Sequence, residues 1–153
     1  MTDRPLNPDL SRLCVEAAID PHPSIVFPDT PLVEAIACMG QTPYLLSDRA
    51  STPEQTRSSC VVVMEGEQLI GLLTERDVVR TIAQRLDLEH LSVAQVMSRH
   101  PITLARSQCR DIFYLVDLFR HYQIRHLPIL DDDGRSIGVV STDTVCRALL
   151  SAD

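Results

Sequence analysis

The sequence predicts an α/β fold built from two pseudo-symmetric copies of one strand-helix-strand-strand-helix unit, closed into a single disc-like module. Three observations lead there. Leu69-Ile70-Gly71-Leu72-Leu73-Thr74-Glu75-Arg76-Asp77 returns, weakened, as Ser136-Ile137-Gly138-Val139-Val140-Ser141-Thr142-Asp143-Thr144, a displacement of 67 residues from Gly71 to Gly138. Each copy reads as an apolar strand bearing a glycine, then a hydroxyl residue, then a helix, which sets a helix N-terminus at the mouth of a sheet where anions are attracted. At 153 residues and 44% hydrophobic, the chain holds one domain or two interlocked halves, each too small to bury its own core comfortably. Only the first copy has an aspartate three residues after the hydroxyl; the second has Thr144, so a ligand should prefer one of two pseudo-equivalent sites.

In chain order, residues 10–18 suggest a lead-in helix stopped by Asp20-Pro21-His22-Pro23, after which residues 24–27 can extend. Leu32, Ala35, Ile36 and Met39 fall at helical spacing and read as core packing. Residues 60–64 and 69–74 form two strands, and Val78, Val79, Ile82 and Leu86 mark the next helix. Ser92-Val93-Ala94-Gln95 has a capping-box pattern, opening a short helix through Met97. Pro101 leads into a strand at 102–104, and Ile112, Leu115, Val116 and Phe119 repeat the helical stripe. Residues 126–130 and 136–141 supply two strands and 142–150 the last helix, so the order of elements is the same in both copies. The first repeat spans 10–88 and the second 89–153. From Met39 to Cys60 is 21 positions and from Phe119 to Leu127 is 8, so the first copy carries 13 extra residues in a Ser/Thr/Pro-rich loop at 40–59. The expected core is Ile36, Met39, Val62, Ile70, Val79, Ile112, Val116, Phe119, Leu127, Ile129, Ile137 and Val139.

A net charge of −7, arginines but no lysine, and 4% aromatics argue against a nucleic-acid or anionic-membrane partner, which calls for a basic face. Cys14, Cys38, Cys60, Cys109 and Cys146 are odd in number and form no C-x-x-C pair, so they read as buried thiols in a reducing compartment. No apolar run approaches the roughly 20 residues that span a bilayer, and no export signal is recognisable. A soluble, cytoplasmic chain is expected.

The signature Ile70-Gly71-Leu72-Leu73-Thr74-Glu75-Arg76-Asp77 resembles that of cystathionine-β-synthase (CBS) domains. Ile124-Arg125-His126-Leu127-Pro128-Ile129, the acidic turn from Asp131 to Gly134, and Ile137-Gly138-Val139-Val140-Ser141 resemble the same family's middle and end in uninterrupted order. The resemblance covers roughly residues 10–151, nearly all the chain, and is duplicated at the right period. It implies a tandem pair, or Bateman module, in which two sheets pack about a pseudo-twofold axis and leave two clefts for adenosine-containing ligands. It also implies regulation, not catalysis.

By that resemblance Asp77 accepts hydrogen bonds from ribose hydroxyls, and Thr74 sits beside ribose or phosphate. A carboxylate can hold a cis-diol through two acceptors, while helix-terminal N–H groups and nearby arginines such as Arg76 suit phosphate. Spacing alone equally makes Thr74 an N-cap with Asp77 at N3, and both roles can hold at once. The resemblance likewise places Arg125 and His126 at a basic position reaching phosphates bound beside the aspartate of the other repeat, against a surface arginine and a strand histidine as the plainer reading. It makes Leu72, Ile102 and Ile124 candidate walls for adenine. At the pseudo-equivalent site Thr144 replaces the aspartate, and Ser58 and Ser59 occupy the places matched to Arg125 and His126. Tyr44, Leu45 and Leu46 of the insertion could cover a cleft, plug the weaker site or pack on a partner, and Arg57 is a possible displaced phosphate contact.

No catalytic residues emerge: G-x-x-x-x-G-K-[ST] and H-E-x-x-H are both absent from the sequence. Asp131-Asp132-Asp133-Gly134 fits a strand-connecting turn, since the twelfth position from Asp131 is Thr142 and not the glutamate of a calcium loop. His121 and His126 straddle a helix-to-strand break, so no metal is expected. The leading expectation is a sensor without a resident cofactor, whose regulatory ligand is an adenine nucleotide or S-adenosylmethionine. It would self-associate as a homodimer through helical faces and serve an output domain or partner, for example at the N-terminus of a signalling kinase. The alternatives are a ligand-free dimerisation scaffold and a minor phosphate-ester hydrolase.

Overall fold

The computed structural model describes residues 15–40 and 59–151. Cys14, the start of the lead-in helix, Tyr44, Leu45, Leu46, Arg57 and Ser58 lie outside them. The chain divides into two units, residues 23–101 and residues 1–22 with 102–153. Each unit takes in the opening segment of the other's repeat, residues 89–101 in the first case, so the unit boundaries differ from the repeat boundaries.

In the 23–101 unit, β2 (Ile25–Val26) runs parallel to β3 (Cys60–Glu65), which forms a hairpin with β4 (Gln68–Thr74), and β4 pairs antiparallel with β5 (Ser98–Arg99). Helix α1 (Leu32–Gly40) and the short α3 (Val93–Val96) cover one face. The pattern is read from the strands: Val61, Val63 and Leu73 point to the core with Val26, Leu32, Ala35, Val93 and Met97, while the alternate residues Val62 and Leu72 take the opposite face. The capping box foreseen at Ser92 is present, with Ser92 N–H donating to Gln95 Oε1 at 2.9 Å. Backbone bonds from Leu32 to Leu91 and from Val93 to Thr30 tie α3 to the start of α1.

The second unit repeats this plan. Strand β6 (Leu104–Ala105) is parallel to β7 (His126–Leu130), β7 forms a hairpin with β8 (Ser136–Ser141), and β1 (Ile19–Asp20) adds antiparallel to β8. Helices α4 (Ile112–Tyr122) and α5 (Thr142–Leu150), with a 3-10 turn at Val15–Ala18, complete it. Ile112, Leu115, Leu127, Ile129 and Val140 are wholly buried at its centre. Truncating Leu115 or Leu127 to Ala is expected to cost about 2–5 kcal/mol. Asp111 caps α4 by accepting the Tyr114 N–H at 2.8 Å, and Gln123 ends it in the left-handed conformation at φ 54°. The acidic turn is local: Asp131 Oδ1 accepts N–H groups of Asp133 and Arg135 at 2.9 and 2.8 Å.

The antiparallel edge strands β1 and β5, each two residues long, were missed in the sequence. Their position explains the repeated glycines. A Cβ on Gly71 would stand 2.5 Å from Met97 Sδ and 3.1 Å from the Ser98 carbonyl, and one on Gly138 would stand 2.3 Å from the Asp20 carbonyl oxygen.

Several expectations need correction. Val79 is 64% exposed and Ile137 36%, so neither belongs to the core. Helix α2 (Glu75–Ala83) buries Asp77 and Thr81 instead, leaving Val79 and Ile82 outward, and Ile137 lies at the hairpin end of β8. Leu86 falls beyond α2, which ends at Gln84 ahead of Arg85 at φ 58°. The strand expected at 102–104 begins only at Leu104, where pairing to Ile129 starts. Cys60 and Cys109 are buried and Cys38 half-buried, but Cys146 is exposed.

Candidate functional site

Strand β4 passes directly into α2, so the hydroxyl residue that ends the strand caps the helix. The Thr74 backbone N–H and hydroxyl both donate to Asp77 Oδ2, at 2.9 and 3.0 Å. The other carboxylate oxygen, Oδ1, accepts the Ser98 hydroxyl at 3.3 Å and lies 3.8 Å from the largely exposed Arg80 guanidinium. Asp77 is only 4% exposed, and its own carbonyl accepts the Thr81 hydroxyl at 2.8 Å. An ionised carboxylate offers about four acceptor positions, and these hydrogen bonds use three, two of them on Oδ2. Oδ1 therefore keeps acceptor capacity at a helix N-terminus. Leu72 lies on β4 opposite Ser98 in register, and Arg76 sits exposed on the first turn of α2.

Ile102, Ile124, Arg125 and His126 belong to the other unit. There the Arg125 carbonyl accepts the Thr142 N–H at 3.1 Å, and His126 pairs with Ser141, so both flank the N-terminus of α5. His126 is half-buried, and burial holds its imidazole below its ordinary pKa. The Asp143 carboxylate opposes that shift and Arg125 adds to it. Ile124 packs against the core and Ile102 is partly exposed.

The α5 N-terminus repeats the cap without the charge. The Ser141 N–H donates to Thr144 Oγ1 at 2.8 Å, that hydroxyl donates to the Ser141 carbonyl at 3.0 Å, and the Thr144 N–H donates to Ser141 Oγ at 3.1 Å. Structural register corrects the matching of the two copies. Glu75 N–H donates to the Ser59 carbonyl as Thr142 N–H does to that of Arg125, and Cys60 faces Thr74 as His126 faces Ser141. Ser59 and Cys60, not Ser58 and Ser59, therefore occupy the places of Arg125 and His126; the alignment slips by one because the second hairpin is a residue longer.

Two contacts were missed by reading the sequence. Ser98 reaches Asp77 from a strand 21 positions away, which no local spacing reveals. Arg80, at i+3 from Asp77, was legible as a helix-face pair.

A duplicated signature on two like-built sheets, each running into a capped helix, defines a tandem module, and the CBS domain family profile matches residues 15–84 and 93–151. The chain belongs to the CBS domain family, of which it carries two copies. It is 33% identical over 90 residues to an uncharacterized protein of Methanopyrus kandleri, covering 58% of this chain and 45% of that one; the chain thus spans less than half of that relative. Among solved structures it is similar to a CBS domain protein (TM-score 0.69, 24% identity, 91% and 95% of the two chains covered). It is also similar to a CBS domain protein from Pyrobaculum aerophilum complexed with AMP (0.66, 21%, 93% and 95%). A CBS domain pair in complex with 5′-methylthioadenosine and S-adenosylmethionine superposes likewise (0.66, 18%, 87% and 96%). No helix among the described residues is long and apolar enough to cross a membrane.

Proposed function

We propose that the chain is a regulatory module that binds an adenine nucleotide (AMP, ADP or ATP) or another adenosyl compound such as S-adenosylmethionine, and passes the bound state to an output domain or partner. An N-terminal place in a signal-transduction kinase is one such arrangement. The observation that carries the reading is Asp77: a buried carboxylate fixed at a helix N-terminus, with acceptor capacity left on Oδ1. In this reading Asp77 accepts ribose hydroxyls, Thr74 and Arg76 meet phosphate and Leu72 meets adenine; the phosphate role of Arg125 and His126 and the adenine role of Ile102 and Ile124 rest on the family resemblance alone. The ligands held by similar CBS structures support it.

The test is calorimetry with AMP, ADP, ATP, S-adenosylmethionine and guanine nucleotides. Adenosyl compounds are expected to bind and to raise the melting temperature, since a ligand of the folded state adds RT ln(1 + [L]/Kd). Arg125→Ala should weaken ATP and ADP more than adenosine. No purine binding at millimolar concentration would sink the reading and favour the second one, a ligand-free homodimeric scaffold. That reading rests on the exposed apolar side chains Val79 and Ile82 of α2 and Leu150 of α5. Sedimentation showing a monomer at every concentration would remove it.

A further inference from the structure

We infer that Ser98 is a positioning residue for ribose recognition: its hydroxyl fixes the carboxylate of Asp77 so that Oδ1 presents its remaining lone pair to a ligand diol. The inference rests on the adenosyl-sensor reading above and goes beyond it by naming a residue outside the repeated signature.

The geometry is as follows. An aspartate's terminal torsion is broad and roughly twofold, so a carboxylate held at one oxygen can still swing. Thr74 holds only Oδ2, through two donors on one side of the group. Ser98, carried on β5 and paired in register with Leu72, holds the other oxygen, Oδ1, at 3.3 Å. Three donors on two oxygens define the carboxylate plane. Arg80, at 3.8 Å and 62% exposed, is too mobile and too well solvated to do the same.

The second unit supplies an internal comparison. Its edge residue facing Val139 is Asp20, as Ser98 faces Leu72, and its helix residue at the Asp77 place is Thr144. Each unit thus carries one carboxylate and one hydroxyl at this pair of positions, in exchanged order. The Asp20 carboxylate is used within its own turn, where Oδ1 accepts the His22 N–H at 3.0 Å, while the Thr144 hydroxyl bonds Ser141. Among the described residues, then, only in the 23–101 unit does the edge residue serve the helix residue, as a donor to its carboxylate.

The experiment compares wild type, Ser98→Ala and Ser98→Thr, titrating each with AMP and with 2′-deoxy-AMP and recording the melting temperature without ligand. Wild type should prefer AMP. Ser98→Ala should lose roughly tenfold in AMP affinity, the scale of a hydrogen bond to a charged group, while 2′-deoxy-AMP affinity barely moves, so the preference collapses. Ser98→Thr, which keeps the hydroxyl, should retain the preference. An AMP to 2′-deoxy-AMP ratio unchanged in Ser98→Ala overturns this inference alone and leaves the sensor reading standing. Equal losses for both nucleotides also overturn it, since they mark a general structural role. Failure of wild type to bind AMP overturns it too, while the sensor reading falls only if every adenosyl compound fails.

Discussion

The N-termini of α2 and α5 are built on the same backbone, with cap residues Thr74 and Ser141 at nearly equal torsions, φ −118°, ψ 165° and φ −124°, ψ 166°. They differ in what the third helical residue does with its oxygen. Thr144 has one oxygen that both accepts from and donates back to Ser141, so the cap consumes it. Asp77 has two, caps with one, and leaves the other partly open. The comparison teaches that a helix cap and a binding site can share a residue only when that residue has more acceptor capacity than the cap requires.

The largest expected effect tests the scaffold common to both ends. Gly138→Ala drives a Cβ to 2.3 Å from the Asp20 backbone oxygen, whereas Gly71→Ala chiefly meets the flexible end of Met97. Losses of about 3 and about 1 kcal/mol respectively are expected, within the range for overpacking, and chemical denaturation of the two variants checks the order. Equal losses would mean that the β1 edge yields as readily as a methionine side chain.

Asp77→Asn separates cap from ligand contact. Its amide must set a donor among the donors of Thr74 and Ser98 or turn one toward the ligand. The expected loss is about 1.5–3 kcal/mol of nucleotide affinity, the scale of a hydrogen bond to a charged group, with about 1 kcal/mol of stability lost at the cap. Intact affinity with a lowered melting temperature would reduce Asp77 to a cap.

Thr144→Asp attempts to convert the second end into the first. On its own it replaces the hydroxyl that the cap consumes with a carboxylate that has acceptor capacity to spare. Paired with Asp20→Ser it recreates the first unit's arrangement, and calorimetric stoichiometry should rise from one toward two.

The smallest effect concerns His126, which stands beside the cap of α5. Burial lowers its folded pKa, so at acid pH the unfolded chain binds the proton more readily. Its contribution to stability is full above about pH 6.5, the ordinary histidine value, and falls away as pH drops below that. His126→Gln should flatten the decline of melting temperature between about pH 6.5 and 5.5, and an unchanged slope would remove His126 from the account.

The duplication, the order of elements within each repeat and the capped signature at Thr74 were legible because period-2 strands, helical stripes and capping residues are local patterns. Asp77, Thr74 and Leu72 were found this way. Ser98 was not, because it meets Asp77 only across paired strands, and Val79 was misread because apolar spacing marks a helical face without saying which face the fold buries. The hairpin register, set by one extra residue in the second copy, likewise moved the match of His126 from Ser59 to Cys60.

Sequence alone determined that there are two copies, that each ends in a capped helix, and that only one of those helices has a carboxylate at its third position. These follow from side-chain chemistry at fixed short spacing. Tertiary structure alone decided which segment completes which sheet. Strands β1 and β5 are too short to declare themselves, and they come into being only where Gly138 and Gly71 let another backbone approach. That approach puts Ser98 against Asp77, and the free edge of the carboxylate is set by a contact that no local pattern encodes.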